Sequence, residues 1–112
     1  MLGPLALRLE HYMDLLSARQ KLVASNLANI DTPGFHTKDI DFAAEYAIAG
    51  HSADPITIDA PGLKERPDGN NVDIDRESRL LAENTIRFNL ASTLLHGQIK
   101  SIRNAIQEGR GA

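Results

Sequence analysis

Apolar residues recur at helical spacing near both ends of the chain and lose that rhythm in the middle. Leu5, Leu9, Tyr12, Leu16, Val23 and Ile30 follow an a/d register, widened by Met13, Leu15, Leu22 and Leu27. The pattern predicts one long helix over residues 1–30. Pro4 suits its first turn, where a missing N–H is not needed. Asp31-Thr32-Pro33-Gly34 supplies the stop: Pro33 disfavours helical geometry at Thr32, and Pro33-Gly34 matches the two central positions of a type II turn. The helix is therefore expected to end near Asn29.

A second periodic segment follows the turn signal Asp68-Gly69-Asn70-Asn71 and fills residues 73–112. Ile74, Leu81, Phe88, Leu95 and Ile102 recur every seven residues, with Ala91, Ile99, Ala105 and Ile106 at neighbouring positions. Asp73, Asp75 and Glu77 lie where carboxylates favour a helix N-terminus. Lys100, Arg103 and Arg110 lie toward the opposite end of the dipole, and Gly109 or Gly111 is a candidate terminator. Pattern and electrostatics agree on a long helix with this direction.

Residues 31–72 form the connector. Every proline except Pro4 lies here, and three basic residues face eight acidic ones, a local net charge of −5. Asp41 is a candidate cap for a short helix over 42–49 ended by Gly50. Ile56-Thr57-Ile58 followed by Asp59-Ala60-Pro61-Gly62 reads as a strand entering a turn. A structureless loop of ~40 residues would be unusual in a compact domain, so the segment is either a small ordered insert or a flexible arm.

The expected fold is mainly α: two long terminal helices in a coiled-coil-like pair, joined by a polar connector with little regular structure. At 1.5 Å per residue the first helix would span ~38 Å and the second ~55 Å, so part of the second seam stays uncovered. An uncovered apolar stripe implies an interface, and with it folding coupled to assembly. Composition points the same way. The chain has 112 residues, 42% of them apolar, five aromatics, no Trp and no Cys, so neither a disulfide framework nor a thiolate zinc site compensates for a small core.

Net charge of −3 offers no general attraction to nucleic acid. The N-terminus meets Arg8 and Glu10 before a signal-peptide core forms, and no stretch approaches the ~20 apolar residues needed to span a bilayer. Residues 1–30 and 73–112 each carry a net charge of +1 with mixed signs, which lacks the basic face that an anionic membrane surface favours. His11, His36, His51 and His96 contain no closely spaced pair. With no phosphate-binding loop or nucleophile elbow either, neither an enzyme nor a cofactor, metal or small-molecule substrate is expected. Asn71, Asp73, Asp75 and Glu77 alternate like calcium ligands, but Arg76 stands where the loop needs Gly and Ala82 where it needs the closing carboxylate. A helix-start role is favoured for this cluster.

Ala18-Arg19-Gln20-Lys21-Leu22-Val23-Ala24-Ser25-Asn26-Leu27-Ala28-Asn29-Ile30-Asp31-Thr32-Pro33-Gly34-Phe35 resembles the N-terminal signature of flagellar rod and hook proteins. Residues 71–77, Glu83-Asn84, Arg87-Phe88-Asn89 and 102–106 are similar to the C-terminal helix of the same group. Together they identify the chain as resembling the flagellar basal-body rod protein family, with Asn71-Val72-Asp73 and Glu83-Asn84 favouring a proximal-rod member. Ser78, where Met is expected, and Phe88, where Tyr is usual, depart from the pattern. The connector is too short for the large inserts of distal-rod and hook proteins.

The resemblance implies a structural subunit of the rod, in the axial structure that transmits torque. It also implies export through the flagellar type III apparatus without a cleaved signal peptide and a place in the periplasmic rod. Expected partners are further copies, other rod proteins, and the membrane-ring and export-gate proteins. The expected assembly residues are Leu16, Val23, Asn26, Leu27, Asn29, Ile30, Leu81, Phe88, Leu95 and Ile102, with Pro33 and Gly34 forming the turn. Asn26 and Asn29 have two readings, helix-end capping and choice of register or partner, and the second is favoured because Asn26 lies a full turn before the stop. Alternative readings are another rod component, a non-flagellar helical adaptor, or a membrane-surface protein.

Overall fold

The computed structural model describes residues 3–48 and 54–111, in the order α1 (Pro4–Ala28), β1 (Lys38–Ile40), α2 (Phe42–Ala47), β2 (Thr57–Asp59) and α3 (Ile74–Gly111). The molecule is a rod of 71 × 23 × 17 Å. Its length comes from α3, whose 38 residues span about 57 Å.

Helix α1 starts as its proline requires. Gly3 is extended at φ −74° and ψ 174°, and Pro4 occupies the first helical positions without a side-chain cap. The helix stops at Ala28 because Asn29 leaves helical geometry, with its N–H donating to Ser25 O and Asn26 O at 3.1 and 3.2 Å. The type II turn then forms where expected: Phe35 N donates to Thr32 O at 3.2 Å across Pro33 and Gly34, and Gly34 adopts φ 75°. Helix α3 begins with Asp73, whose carboxylate accepts from Asp75 N and Arg76 N at 3.0 and 3.3 Å. It continues through Gly109 to Gly111.

The connector is a small ordered insert. Asp41 caps α2 by accepting from Ala44 N at 3.1 Å. The strand expected near Ile58 pairs antiparallel with β1, in the register Lys38 with Asp59, Asp39 with Ile58 and Ile40 with Thr57. Helix α2 stops at Ala47, short of the expected 49, because Ile48 leaves helical geometry at φ −82° and ψ 94°; Gly50, His51 and the Arg110 side chain lie outside the described residues. Tyr12 packs edge-on against Phe42 and Tyr46, His11 stacks on Tyr46, and Arg19 lies over the Phe42 ring. Helix α1 is thus covered by α3 on one side and by the connector on the other.

The apolar core runs between these layers: Leu16, Val23, Leu80 and Ala91 between the helices, and Leu15, Ile40, Ala60 and Val72 toward the connector. Full burial of Leu16 and Val23 contributes roughly 1.5–3 kcal/mol each. Two cross-helix pairs set the antiparallel register, Asn26 with Glu77 and Gln20 with Asn84. Counting from Gln20 back to Pro4 reaches the level of Lys100 on α3, so α3 projects past α1 by about 16 Å.

Candidate functional site

Where α1 ends, the connector turns and α3 begins, polar side chains are buried instead of apolar ones. Asn26 is 0% exposed and spends both ends of its amide inside the subunit. Its Nδ2 donates to Lys38 O at 2.9 Å and to Glu77 Oε1 at 2.6 Å, and its Oδ1 accepts from Lys38 N at 3.0 Å. Asn26 therefore joins α1 to β1 and α3 at once. The amide supplies the edge of β1 with the hydrogen bonds a third strand would otherwise make.

Asp39 is the electrostatic centre. Arg19 of α1 grips both its oxygens with two hydrogen bonds of 2.9 Å, and Arg76 of α3 donates to Oδ2, which it shares with Arg19, at 2.5 Å. Arg76 also donates to Glu77 at 2.6 Å, and Glu77 is 0% exposed. Burial opposes ionisation of Asp39 most strongly. Donation from Arg19, the Ile40 amide and Arg76 together outweighs it and holds the carboxyl below its ordinary value. The clamp contains two carboxylates and two guanidinium groups, and it leaves no buried side-chain polar atom unpaired among the described residues.

A second layer of amides locks the turns. Asn70 Nδ2 donates to Asn29 O and Thr32 O, both at 2.9 Å, and Asn70 Oδ1 accepts from Val72 N at 2.8 Å. Asn71 Oδ1 accepts from Thr37 N and Thr37 Oγ1 at 2.7 and 2.9 Å. Gly34 N donates to Asp68 O at 2.8 Å, bringing the Pro33-Gly34 turn against the turn at Gly69. A Cβ on Gly69 would stand 3.3 Å from the Gly34 Cα. Close approach thus favours glycine at 69, while at Gly34 the space is open and its φ of 75° is what favours glycine.

The structure separates the two signature asparagines. Asn26 is buried and bonded across to β1 and α3, whereas Asn29 caps the helix end: its Nδ2 donates to Ser25 O at 2.8 Å and its Oδ1 accepts from Thr32 Oγ1 at 3.0 Å. Leu16 and Val23 lie buried against α3; Leu27 and Ile30 are half-buried, and Pro33 and Gly34 form the exposed turn. On α3 the line facing α1 is Glu77, Leu80, Asn84 and Ala91. Leu95 and Ile102 continue beside it half-buried, while Leu81 at 40% and Phe88 at 37% stay exposed on its flank. Phe88 lines a groove of about 240 Å³ with Leu16, Gln20 and Asn84. A second apolar edge, Ile86, Leu90 and Leu94, is 52–67% exposed.

Arg19, Asp39, Arg76 and Glu77 carry the clamp, Asn84 pairs with Gln20 across the helices and Asn70 locks the turns, and apolar periodicity singles out none of them as interface residues. A seven-residue spacing of Glu77, Asn84 and Ala91 was the available signal. Asp73, one of the alternating carboxylates, is occupied as a helix cap, and Glu77 as the partner of Asn26 and Arg76. None of the described helices is long and apolar enough to cross a membrane.

Residues 13–36, which include Arg19, Asn26 and the Pro33-Gly34 turn, match the family described as flagella basal body rod protein. The chain is similar to the flagellar basal body rod protein FlgB of Escherichia coli (strain K12), at 32% identity covering 87% of this chain and 88% of that protein. It is 34% identical to FlgB of Yersinia enterocolitica, over 87% of this chain and 89% of the relative. The FlgB of Borrelia hermsii is 31% identical, with 86% and 90% covered.

Proposed function

The chain belongs to the flagellar basal-body rod protein family, and from that premise we propose that its paired terminal helices are the surfaces by which it enters the rod. It is a structural subunit of the proximal rod in the flagellar basal body, assembling with other rod components. The observation that carries the proposed mode of assembly is the unequal coverage of α3. One edge exposes Leu81 and Phe88, the other exposes Ile86, Leu90 and Leu94, and the end exposes Ile106 at 54%. Each exposed Leu or Ile on a soluble helix gains roughly 1.5–3 kcal/mol when a neighbour covers it. Repetition of such contacts around an axis makes a stiff tube suited to carrying torque.

Within this reading Asn26, Asn29, Ile30, Pro33 and Gly34 shape the subunit, Leu81, Phe88 and Leu95 meet neighbours along the flank of the α1–α3 seam, and Ile102 meets them beyond the level that α1 reaches. The subunit reaches the periplasm through the flagellar type III apparatus without signal cleavage. Its contacts there include the membrane-ring and export-gate proteins beside the proximal rod, and its role is structural, not enzymatic. Support comes from the rod-family signature at the N-terminus and the apolar edges of α3. Deleting the gene and imaging purified basal bodies tests the assignment. Basal bodies are expected to lack a continuous rod; a complete, functional rod without this chain overturns it.

A further inference from the structure

The heptad repeat of α3 leaves a problem that its apolar residues alone do not solve. Glu77, Asn84 and Ala91 of the line facing α1, and Leu81, Phe88 and Leu95 beside it, recur every seven residues, so a slip of seven, about 10 Å, exchanges positions of the same line and changes its apolar content only where Arg87 takes the place of Leu80 and Gln98 that of Ala91. The polar clamp has no such equivalence. Asp39 bonds to Arg19 from α1 and Arg76 from α3, and Asn26 bonds to Lys38 of β1 and Glu77 of α3. After a seven-residue slip, Arg76 and Glu77 are out of reach of these partners.

The insert depends on the clamp far more than the helices do. Two strands of three residues each do not persist alone in water. β2 is exposed along its whole length, and the free edge of β1 is satisfied by the Asn26 amide. The apolar contacts of Leu16, Val23, Leu80 and Ala91 lie on the helices themselves, outside the strands.

We propose that the β1–β2 insert is a register sensor: it orders only when α1 and α3 pair in the one register that brings Arg19 and Arg76 to Asp39. The coupling is reciprocal: slipped helices release the insert, and release of the insert weakens the preference for this register while leaving the apolar contacts between the helices in place. The surface shown by Ile56 and Ile58, exposed at 72% and 39%, is thereby presented only by a correctly paired subunit. The inference concerns the isolated chain and stands or falls separately from the rod assignment.

The absence of cysteine makes a clean test available. In the full chain, Gln20→Cys with Asn84→Cys, joined by a short bismaleimide, holds the observed register; Gln20→Cys with Ala91→Cys imposes the seven-residue slip. Amide hydrogen exchange is then read separately for the helices and for the strands. The expected result is protection of both in the first linked chain. In the second, strand amides exchange roughly 10- to 100-fold faster while helical amides stay protected. Asp39→Asn in the first linked chain is expected to release the strands alone. Equal strand protection in both registers overturns the proposal, as does retained protection in Asp39→Asn or loss of helical protection along with the strands in that variant. A slipped chain that fails to become helical leaves the decision to the Asp39→Asn arm, and a first linked chain without helical protection also overturns it.

Discussion

Replacing Asn26 with Leu removes one buried amide and leaves three partners behind. The Lys38 N–H and C=O lose their bonds of 3.0 and 2.9 Å, and the Glu77 carboxylate loses the donor at 2.6 Å, keeping only Arg76. Each backbone group left without a partner costs about 1 kcal/mol, and loss of a hydrogen bond to a buried charge costs about 1.5–3 kcal/mol. The expected destabilisation is about 3–5 kcal/mol, a large share of the ~5–15 kcal/mol that holds a typical domain together. Asn29→Ala is the matched control, because the Asn29 bonds to Ser25 and Thr32 lie at the exposed helix end and are worth about 0.5–1.5 kcal/mol. Urea unfolding of the two variants followed by far-ultraviolet circular dichroism reads the difference. A loss of ~1 kcal/mol or less in Asn26→Leu, or one no larger than in Asn29→Ala, would refute the reasoning that the amide holds three elements together.

Acid should loosen the clamp in a defined order. The folded pKa of Asp39 lies below its ordinary 3.8, so its stabilisation is complete above that value and is lost as pH falls through the folded value. Asp39→Asn is expected to flatten this part of a stability-against-pH curve, and an unchanged acid limb would count against the Arg19 and Arg76 contacts. Gly34→Ala should destabilise by about 1 kcal/mol because Gly34 adopts φ 75°. Gly69→Ala should lose more, about 1–3 kcal/mol, since it adds the 3.3 Å approach to Gly34 to a φ of 84°; thermal melts of both variants give the comparison. Leu90→Lys, at a position 59% exposed, should leave unfolding free energy within ~0.5 kcal/mol while abolishing swimming in a complementation assay. Normal motility in that variant would remove the Leu90 edge from the assembly surface.

Much of the backbone plan was legible because it rests on local rules. Pro33 and Gly34 announce the end of α1, Asp41 and Asp73 announce the starts of two helices, and the periodicity of both termini announces their length. β1 was not legible: Lys38-Asp39-Ile40 is too short to alternate, and its edge is completed by a side chain from α1. The clamp escaped for a related reason. Apolar periodicity marks where hydrocarbon is buried, whereas Asn26, Asp39 and Glu77 are buried through mutual pairing across 12 to 51 residues of sequence. Glu77 has the composition of a helix-start carboxylate and the position of an interface residue, and only the fold distinguishes the two. The same pairing explains why the α3 line facing α1 contains Glu77 and Asn84 while Leu81 and Phe88 remain at its edge.

The central claim is that a polar clamp builds the subunit and the uncovered faces of α3 build the rod. A cryo-electron microscopy map of the intact basal body, resolved to side chains in the proximal rod, tests it most directly. This chain is expected in the rod with Arg19, Arg76 and Asp39 joined inside one subunit, and with Ile86, Leu90 and Leu94 covered by neighbouring helices. A map in which those three side chains face solvent, or in which the clamp is broken to reach another subunit, would contradict it.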